Sequence, residues 1–189
     1  MTGKTHRIIG ITSGLSYLLT ASQPHYAPAT LGFVLAGSYF GSLLPDLDQP
    51  AADIWDSLPF GHTLGQAVDP FFKHRNISHS ALGLALTGFI FYWLLSLFPS
   101  YWGVDVHTVL LASLIAYGSH LLADSITVEG IPLLYPYHRM FGLPPKPFEG
   151  IRIMTGQWFE NLILFPAVDL WLVLTVAINW GKISKIIFK

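Results

Sequence analysis

Histidine and acidic residues lie at the ends of the apolar stretches of this sequence. They are His6, the pair Asp46 and Asp48, the pair His74 and His79, the pair His120 and Asp124, and Glu160. Imidazole and carboxylate groups suit zinc, iron, manganese or nickel. The chain has eight histidines and no cysteine, so a metal site must use nitrogen and oxygen ligands. The sequence therefore predicts a divalent-metal site.

The spacing within each pair suits metal binding. His120 and Asp124 are four residues apart, so on a helix they share one face and could bind one ion or two adjacent ions. Asp46 and Asp48 flank Leu47, so in an extended turn both side chains point to one side. Two carboxylates that close together repel each other unless a cation separates them.

The spacing of His74 and His79 is less regular. Because they are five residues apart, one could lie in a loop while the other starts a helix.

Structural roles are the alternative for each of these residues. An aspartate after a proline at a helix end, such as Asp46, often caps a turn. His120 and Asp124 could form only a local hydrogen bond. We expect His25, His62 and His107 to be hydrogen-bonded residues at the membrane interface. Ionisable groups that face an apolar helix bundle are costly unless they are satisfied, which favours the metal site.

Two further residues are candidates for catalysis. Arg75 adjoins His74, and its guanidinium can hold a phosphate by paired hydrogen bonds. The alternative role for Arg75 is a positively charged anchor beside the membrane. Glu160, or another carboxylate, is predicted to act as general base on a water molecule.

The composition indicates a membrane protein. Of the 189 residues, 52% are hydrophobic and 11% are charged, whereas a soluble domain is roughly a quarter charged. The mean hydropathy is +0.50. A net charge of −1 gives no broad electrostatic surface for nucleic acid. The length predicts one domain that covers residues 1–189.

Five apolar stretches are predicted to span the membrane: residues 8–21 (extended back toward Lys4), 29–44, 80–98, 106–123 and 162–180. A helix needs about 20 residues to cross the hydrocarbon core. The first two stretches are short, but their Gly, Ser and Thr residues suit close helix packing. The first could instead be a signal peptide. The predicted fold is an all-α, multi-pass transmembrane bundle of about five spans with two long cytoplasmic loops.

The distribution of basic residues predicts the orientation. With five spans, the N-terminus and the long connections 45–79 and 124–161 lie on one side. That side carries Lys4, Arg7, Lys73, Arg75, Arg139, Lys146 and Arg152. The positive-inside rule places it in the cytoplasm of a bacterial-type inner membrane. The basic C-terminal tail would lie on the other side or flat in the interface. All the histidine and acidic clusters then converge on the cytoplasmic side.

The motifs together resemble those of a known family. They are Thr5-His6, Pro45-Asp46-Leu47-Asp48, His74-Arg75 with Ser78-His79-Ser80, Ser119-His120-Leu121-Leu122-Ala123-Asp124 with Thr127, Gly130 and Leu134-Tyr135-Pro136, and residues 152–160 with Thr155-Gly156. Their order and spacing resemble the bacterial YdjM family, described as LexA-regulated, membrane-bound, metal-dependent hydrolases. The sequence Asn76-Ile77-Ser78 departs from the Gly, aromatic and Thr of many relatives, which affects only the local loop shape.

The resemblance implies a helical membrane protein with one or two divalent ions, zinc being the expected metal, and hydrolase activity. The family is compared with zinc-dependent phospholipase C, which suggests a phosphoester substrate by analogy. We expect the metal ligands to be His6, Asp46, His79, His120 and Asp124. Asp48 and His74 would support them or bind a second ion.

Two hypotheses from different functional classes follow. The first is a metal-dependent hydrolase at the cytoplasmic membrane face, acting on a lipid or lipid-linked phosphoester that arrives by lateral diffusion. The second is a non-enzymatic carrier or sensor with the same ligands. A transporter should place ionisable residues through the midplane, and only Asp169 lies deep in a span. A membrane scaffold with purely structural polar helix ends is a third interpretation.

Overall fold

The computed structural model describes residues 1–21, 26–49, 52–57, 59–68, 77–97 and 103–188, whose regular secondary structure is helical apart from two isolated bridges. The α-helices are α1 (Gly3–Thr20), α2 (Pro28–Leu43), α3 (Asp53–Asp56), α4 (Gly61–Val68), α5 (Ala81–Ser96), α6 (Val106–Ser125), α7 (Phe165–Ile178) and α8 (Trp180–Ile187). A π-helical turn, Glu160–Leu164, leads directly into α7. The predicted all-α class is confirmed.

Each of the five predicted apolar stretches coincides with one of these helices. By length and composition, two helices in the described part of the chain could cross a membrane: Val106–Ser125 with 20 residues and Glu160–Ile178 with 19. Helix α5 is apolar but has only 16 residues, or about 24 Å at the helical rise of about 1.5 Å per residue. The structure therefore supports two of the five predicted spans by this criterion.

Helices α1, α2 and α6 pack against one another and form the centre of the bundle. Their contacts bury Leu18, Val34 and Ala112 almost completely. Helix α5 packs against α6, and α7 packs against α1. These contacts place α6, which supplies two of the predicted ligands, between the elements that carry the others.

Small residues allow the central helices to approach closely, as predicted for α1 and α2. A Cβ atom at Gly14 would lie 1.9 Å from Oγ of Ser38, and one at Gly41 would lie 2.5 Å from the carbonyl oxygen of Ser113. Both distances are shorter than any van der Waals contact. Close backbone approach through small residues is the usual way in which helices associate in a membrane.

The basic tail closes the opposite end of the bundle from the predicted metal site. Helix α8 places Ile183 and Ile186 in the same apolar cluster as Leu15 of α1. Lys182 Nζ donates a hydrogen bond to the carbonyl oxygen of Leu19 at 3.0 Å. Part of the tail is therefore packed against the protein, with its lysines near the C-terminal end of α1.

The outer faces of α5 and α7 expose large apolar side chains. Phe89 of α5 is 71% exposed, and Leu174 and Ile178 of α7 are exposed as well. Apolar surface of this kind suits lipid better than water. Asp169 is also exposed on α7.

The described parts of the two long connections contain short helices and isolated bridges. The first begins with a 3₁₀ helix, Leu44–Asp48, and continues into α3 and α4. In the second, bridges join Thr127 with Ile153 and Ile131 with Phe141. These connections lie over the end of the bundle where the histidine and aspartate residues meet.

The contact at Gly41 can be tested by adding one methyl group. We expect Gly41→Ala to destabilise the protein by about 1–3 kcal/mol, because the new Cβ atom meets backbone that cannot rotate away. Gly32→Ala on the same helix is the control, since a Cβ atom there meets nothing within 4 Å. Thermal unfolding in detergent measures both. Equal midpoints for the two variants would contradict the packing of α2 against α6.

Candidate metal centre

Three histidines from three separate elements converge at one end of the bundle. His6 lies in the first turns of α1, His79 in the turn before α5, and His120 near the end of α6. All three side chains are buried. Asp124 in the last turn of α6 and Asp46 in the 3₁₀ helix face them. The five residues expected to be metal ligands are therefore brought together.

The distances within this cluster suit metal coordination. His6 Nε2 lies 3.1 Å from Asp124 Oδ1. His79 Nε2 lies 3.4 Å from Asp46 Oδ1 and 3.6 Å from Asp124 Oδ2. His120 Nε2 lies 3.7 Å from each of the same two carboxylates. The donor atoms thus point toward a common centre.

Two overlapping triads could each hold an ion. One is His6, His120 and Asp124, and the other is Asp46, His79 and His120. Within each triad, the possible ligand atoms all lie within 4.8 Å of one another. Because His120 belongs to both triads, the arrangement is compatible with one ion or with two adjacent ions.

The backbone fixes the orientation of His120. Its Nδ1 lies 2.6 Å from the carbonyl oxygen of Ser42, and a carbonyl only accepts hydrogen bonds, so Nδ1 carries the proton. The lone pair of Nε2 then faces the two carboxylates. Nε2 is buried and has no hydrogen-bond partner among the described residues, which is costly. A metal ion would satisfy it.

A second chain of hydrogen bonds orients His79. Ser78 Oγ lies 2.8 Å from Asp48 Oδ2 and 3.2 Å from His79 Nδ1. A carboxylate only accepts, so Ser78 donates to Asp48 and accepts from Nδ1 of His79. The Nε2 atom of His79 is left to face the cluster. Hydrogen bonds of this kind commonly fix the tautomer of metal-binding histidines.

This arrangement differs from the one expected for Asp46 and Asp48. In an extended turn both carboxylates would point to one side, but the 3₁₀ helix Leu44–Asp48 turns them apart. Asp46 faces the histidines, whereas Asp48 bonds to Ser78. Asp48 therefore reaches the cluster through Ser78 and His79.

The charges of the cluster also suit a divalent cation. Two carboxylates and three neutral imidazoles carry a charge of −2, which one divalent ion would neutralise. Buried charges are strongly unfavourable unless they are paired or bind a metal. The amino group of Met1 also contacts Asp124 Oδ1 and places a positive charge at this position. Nitrogen and oxygen donors of this type fit zinc and similar ions.

Asp46 and His79 lie outside the α-helices, and contacts within the cluster shift the pKa of each. Burial by itself raises the pKa of Asp46, but the imidazoles of His120, His79 and His6 outweigh it and hold the pKa well below its usual range. Burial by itself lowers the pKa of His79, but its contacts with Asp124 and Asp46 raise the pKa to about 8. Asp46 is therefore ionised at neutral pH, and His79 carries a proton when no metal is bound.

Glu160 is buried and holds the start of α1. Its Oε1 accepts hydrogen bonds from Thr2 N at 2.7 Å, Thr2 Oγ1 at 2.7 Å and Thr5 Oγ1 at 2.8 Å. Its Oε2 accepts from Gly156 N at 2.7 Å. These bonds tie the residue next to His6 to the beginning of the π-helical turn. They support a positioning role, and the general-base role of Glu160 stays a prediction.

A polar cavity gives access to the cluster. It has a volume of about 350 Å³, and its lining includes Asp46, Asp124, Glu129 and Thr155. The Asp46 side chain is 16% exposed, so this carboxylate forms the accessible edge of an otherwise buried group. Water and a polar solute can reach the donor atoms from this side.

Two predicted site residues, His74 and Arg75, lie outside the described residues. Sequence reasoning missed several supporting groups, namely the hydroxyls of Thr5 and Ser78 and the carbonyl of Ser42. The two hydroxyls could have been found from the sequence, because Thr5 and Ser78 directly precede His6 and His79. The carbonyl of Ser42 could not, because every residue carries a backbone carbonyl.

The role of Glu160 can be tested at one of its donors. We expect Thr5→Val to lower stability by about 1–3 kcal/mol, because it removes a buried donor to a carboxylate while keeping the side-chain shape. Thr5→Ser keeps the hydroxyl and serves as the control. Thermal unfolding in detergent compares them. A loss in Thr5→Ser without a loss in Thr5→Val would mean that methyl packing, and not the hydrogen bond, holds this position.

Comparison with known proteins agrees with this architecture. The sequence profile of the YdjM inner membrane protein family matches residues 1–185. The chain is 30% identical over 164 residues to protein YvsG of Bacillus subtilis (strain 168), covering 87% of this chain and 88% of that protein. It is 27% identical over 144 residues to the inner membrane protein YdjM of Escherichia coli (strain K12), covering 76% of this chain and 70% of that protein. No solved structure matches. The chain belongs to the YdjM inner membrane protein family.

Proposed function

We propose that this membrane protein is a metal-dependent hydrolase that acts on a lipid or lipid-linked phosphoester at the cytoplasmic face. The observation that carries the proposal is the buried cluster of three histidines and two aspartates beside a polar cavity. Structural metal sites are usually closed, whereas catalytic sites keep an accessible position. The exposed edge at Asp46 favours the catalytic kind.

The ligands in this proposal are His6, Asp46, His79, His120 and Asp124, with zinc as the expected metal. When bound, such an ion acts as a Lewis acid and makes water nucleophilic near neutral pH. The remaining chemistry belongs to the chain. Ser42 and Ser78 keep the two imidazoles in the tautomers that expose Nε2, so they preorganise the donor atoms.

Two carboxylates are candidates for the general base. The sequence points to Glu160, but both of its oxygens already accept hydrogen bonds. Glu129 lines the polar cavity together with Asp46 and Asp124. Glu129 is exposed, so water reaches it, and it is the second candidate for the proton acceptor. Arg75 would orient the phosphate, as the sequence suggests.

The cytoplasmic orientation is supported by the positions of the basic residues. Lys4 and Arg7 lie near the start of α1, at the same end of the bundle as His6. Arg139, Lys146 and Arg152 lie in the connection that follows Asp124. An excess of basic residues on one side marks the cytoplasmic side of a membrane protein. The cluster and the cavity would then face the cytoplasm.

Metal content is the first test. We expect protein purified in detergent without chelator to carry about one or two divalent ions per chain, measured by elemental mass spectrometry. His120→Gln and Asp124→Asn should lose most of this metal. His107→Gln on the same helix is the control, because His107 is exposed and lies near the other end of α6. Size-exclusion chromatography identifies any variant that fails to fold.

Activity assays on the same samples distinguish a hydrolase from a carrier or sensor. Metal-dependent release of a phosphorylated headgroup from phospholipid in mixed micelles, lost in Asp124→Asn, would support the hydrolase. Stoichiometric metal without turnover of any phosphoester would favour the carrier or sensor. Wild-type protein without metal, even after metal is added back, would contradict both and leave the cluster structural.

Metal binding should depend on pH through His79. Because its pKa is raised to about 8 in the metal-free protein, a metal must displace a proton at neutral pH. We expect the apparent affinity for zinc to rise about tenfold per pH unit up to about pH 8 and then to level off. Asp46 is already ionised in this pH range, so it does not add to the pH dependence of the zinc affinity.

Chelator competition at constant ionic strength measures this profile. Calorimetry in buffers of different ionisation enthalpy should detect about one proton released per ion at pH 7. An affinity that stays constant from pH 6 to pH 8 would contradict the raised pKa of His79 in the metal-free protein.

A further inference from the structure

An apolar cleft lies beside the metal cluster, on the side that faces α5. It has a volume of about 220 Å³ and is bounded by the 3₁₀ helix Leu44–Asp48, the turn before α5, and helices α5 and α6. Its lining is almost entirely apolar, including Leu44, Leu47 and Phe91. It is distinct from the polar cavity that contains Asp46 and Asp124.

One stripe of α5 forms the long wall of this cleft. Gly83, Leu86, Thr87, Ile90 and Phe91 all line it, and they recur at the spacing of a single helix face. From Gly83 to Phe91 the stripe runs about 12 Å along the helix axis at about 1.5 Å per residue. The cleft is therefore a narrow groove along α5 and not a round pocket.

The groove is open toward the apolar outside of the bundle. Leu86 and Ile90 line it and are nevertheless about half exposed. The neighbouring Phe89, on the outer face of α5, is largely exposed as well. In a membrane protein, both surfaces meet lipid chains. An acyl chain can thus enter the groove sideways from the bilayer.

The inner end of the groove is polar and leads to the metal cluster. Asp48 and Ser78 line this end. Ser78 Oγ is 3.2 Å from Nδ1 of His79, whose opposite ring nitrogen faces Asp46 and Asp124. Tyr117 closes the same end by donating a hydrogen bond to the carbonyl oxygen of Ser78. An amphipathic molecule in the groove would place its head at this polar end.

The 3₁₀ helix separates the groove from the polar cavity. Leu44, Leu47 and Asp48 line the groove, whereas Asp46 and Gln49 line the cavity. One short turn thus has an apolar compartment on one side and a polar compartment on the other. Asp48 lines the groove and is linked through Ser78 to His79, so the groove meets the histidine cluster at this turn.

We propose that the groove along α5 binds one acyl chain of a membrane lipid, and that the substrate of the metal site is a phospholipid taken directly from the bilayer. The inference rests on the proposed hydrolase function. A cleft of about 220 Å³ is too small for a helix, whose diameter is about 10 Å. It is too apolar for a nucleotide or sugar, because polar groups buried there would lose their hydrogen bonds with water. A single lipid chain fits both its shape and its lining.

Lipid retention tests the groove separately from hydrolysis. The protein is reconstituted with phosphatidylglycerol and phosphatidylethanolamine, extracted in mild detergent, and analysed by native mass spectrometry. We expect about one phospholipid per chain in wild-type protein. Ile90→Trp should lose it because the indole fills the groove. Phe89→Trp is the matched control, since its side chain lies on the outer face of the same helix, and it should retain the lipid.

Kinetics then connect the groove to the site. In Ile90→Trp we expect at least a tenfold rise in KM for long-chain phospholipid, whereas Phe89→Trp should keep the KM of the wild type. Equal lipid retention in all three proteins, or none in the wild type, would overturn the proposal. Specific lipid retention without hydrolysis of any phosphoester would instead leave the groove intact and reject the hydrolase function.

Discussion

The structure depends on one unfavourable arrangement that must be compensated. Three imidazoles and two carboxylates are buried within a few ångströms of each other at the end of an apolar bundle. Neither lipid nor the apolar core can satisfy these groups, so each needs a partner inside the cluster. The carbonyl of Ser42 and the hydroxyl of Ser78 satisfy one nitrogen of His120 and one of His79. The opposite nitrogens face two carboxylates, and a divalent cation would complete the balance of charge and lone pairs.

The bundle is built to bring these groups together. Helix α6 carries both His120 and Asp124, and the small residues of α2 allow the backbone of α6 to approach closely near Gly41. Glu160 holds α1 in position, because it accepts hydrogen bonds from Thr2 and Thr5 and so ties the start of that helix to the segment before α7. The packing that holds the helices in place therefore also positions the donor atoms.

The two sides of the 3₁₀ helix Leu44–Asp48 border two different compartments. On one side of the 3₁₀ helix lies a polar cavity that reaches Asp46, and on the other lies an apolar groove along α5. Asp48 connects the two sides, since it lines the groove and also orients His79 through Ser78. The groove is thus linked to the histidine cluster through a short chain of hydrogen bonds.

The sequence by itself determined the helical class, the approximate bounds of the five main helices, and a set of histidine and acidic residues at helix ends. These follow from the apolar stretches and from the residues that flank them, which local sequence records directly, whereas the five residues that converge were what the family resemblance implied. Only the tertiary structure decided that Asp46 and Asp48 face different compartments, because a 3₁₀ helix and an extended turn place alternate side chains differently. It also decided that Glu160 binds Thr2 and Thr5, more than 150 residues away, and that α5 leaves a groove. Contacts of this kind depend on how distant helices pack, which the pattern within any one helix does not specify.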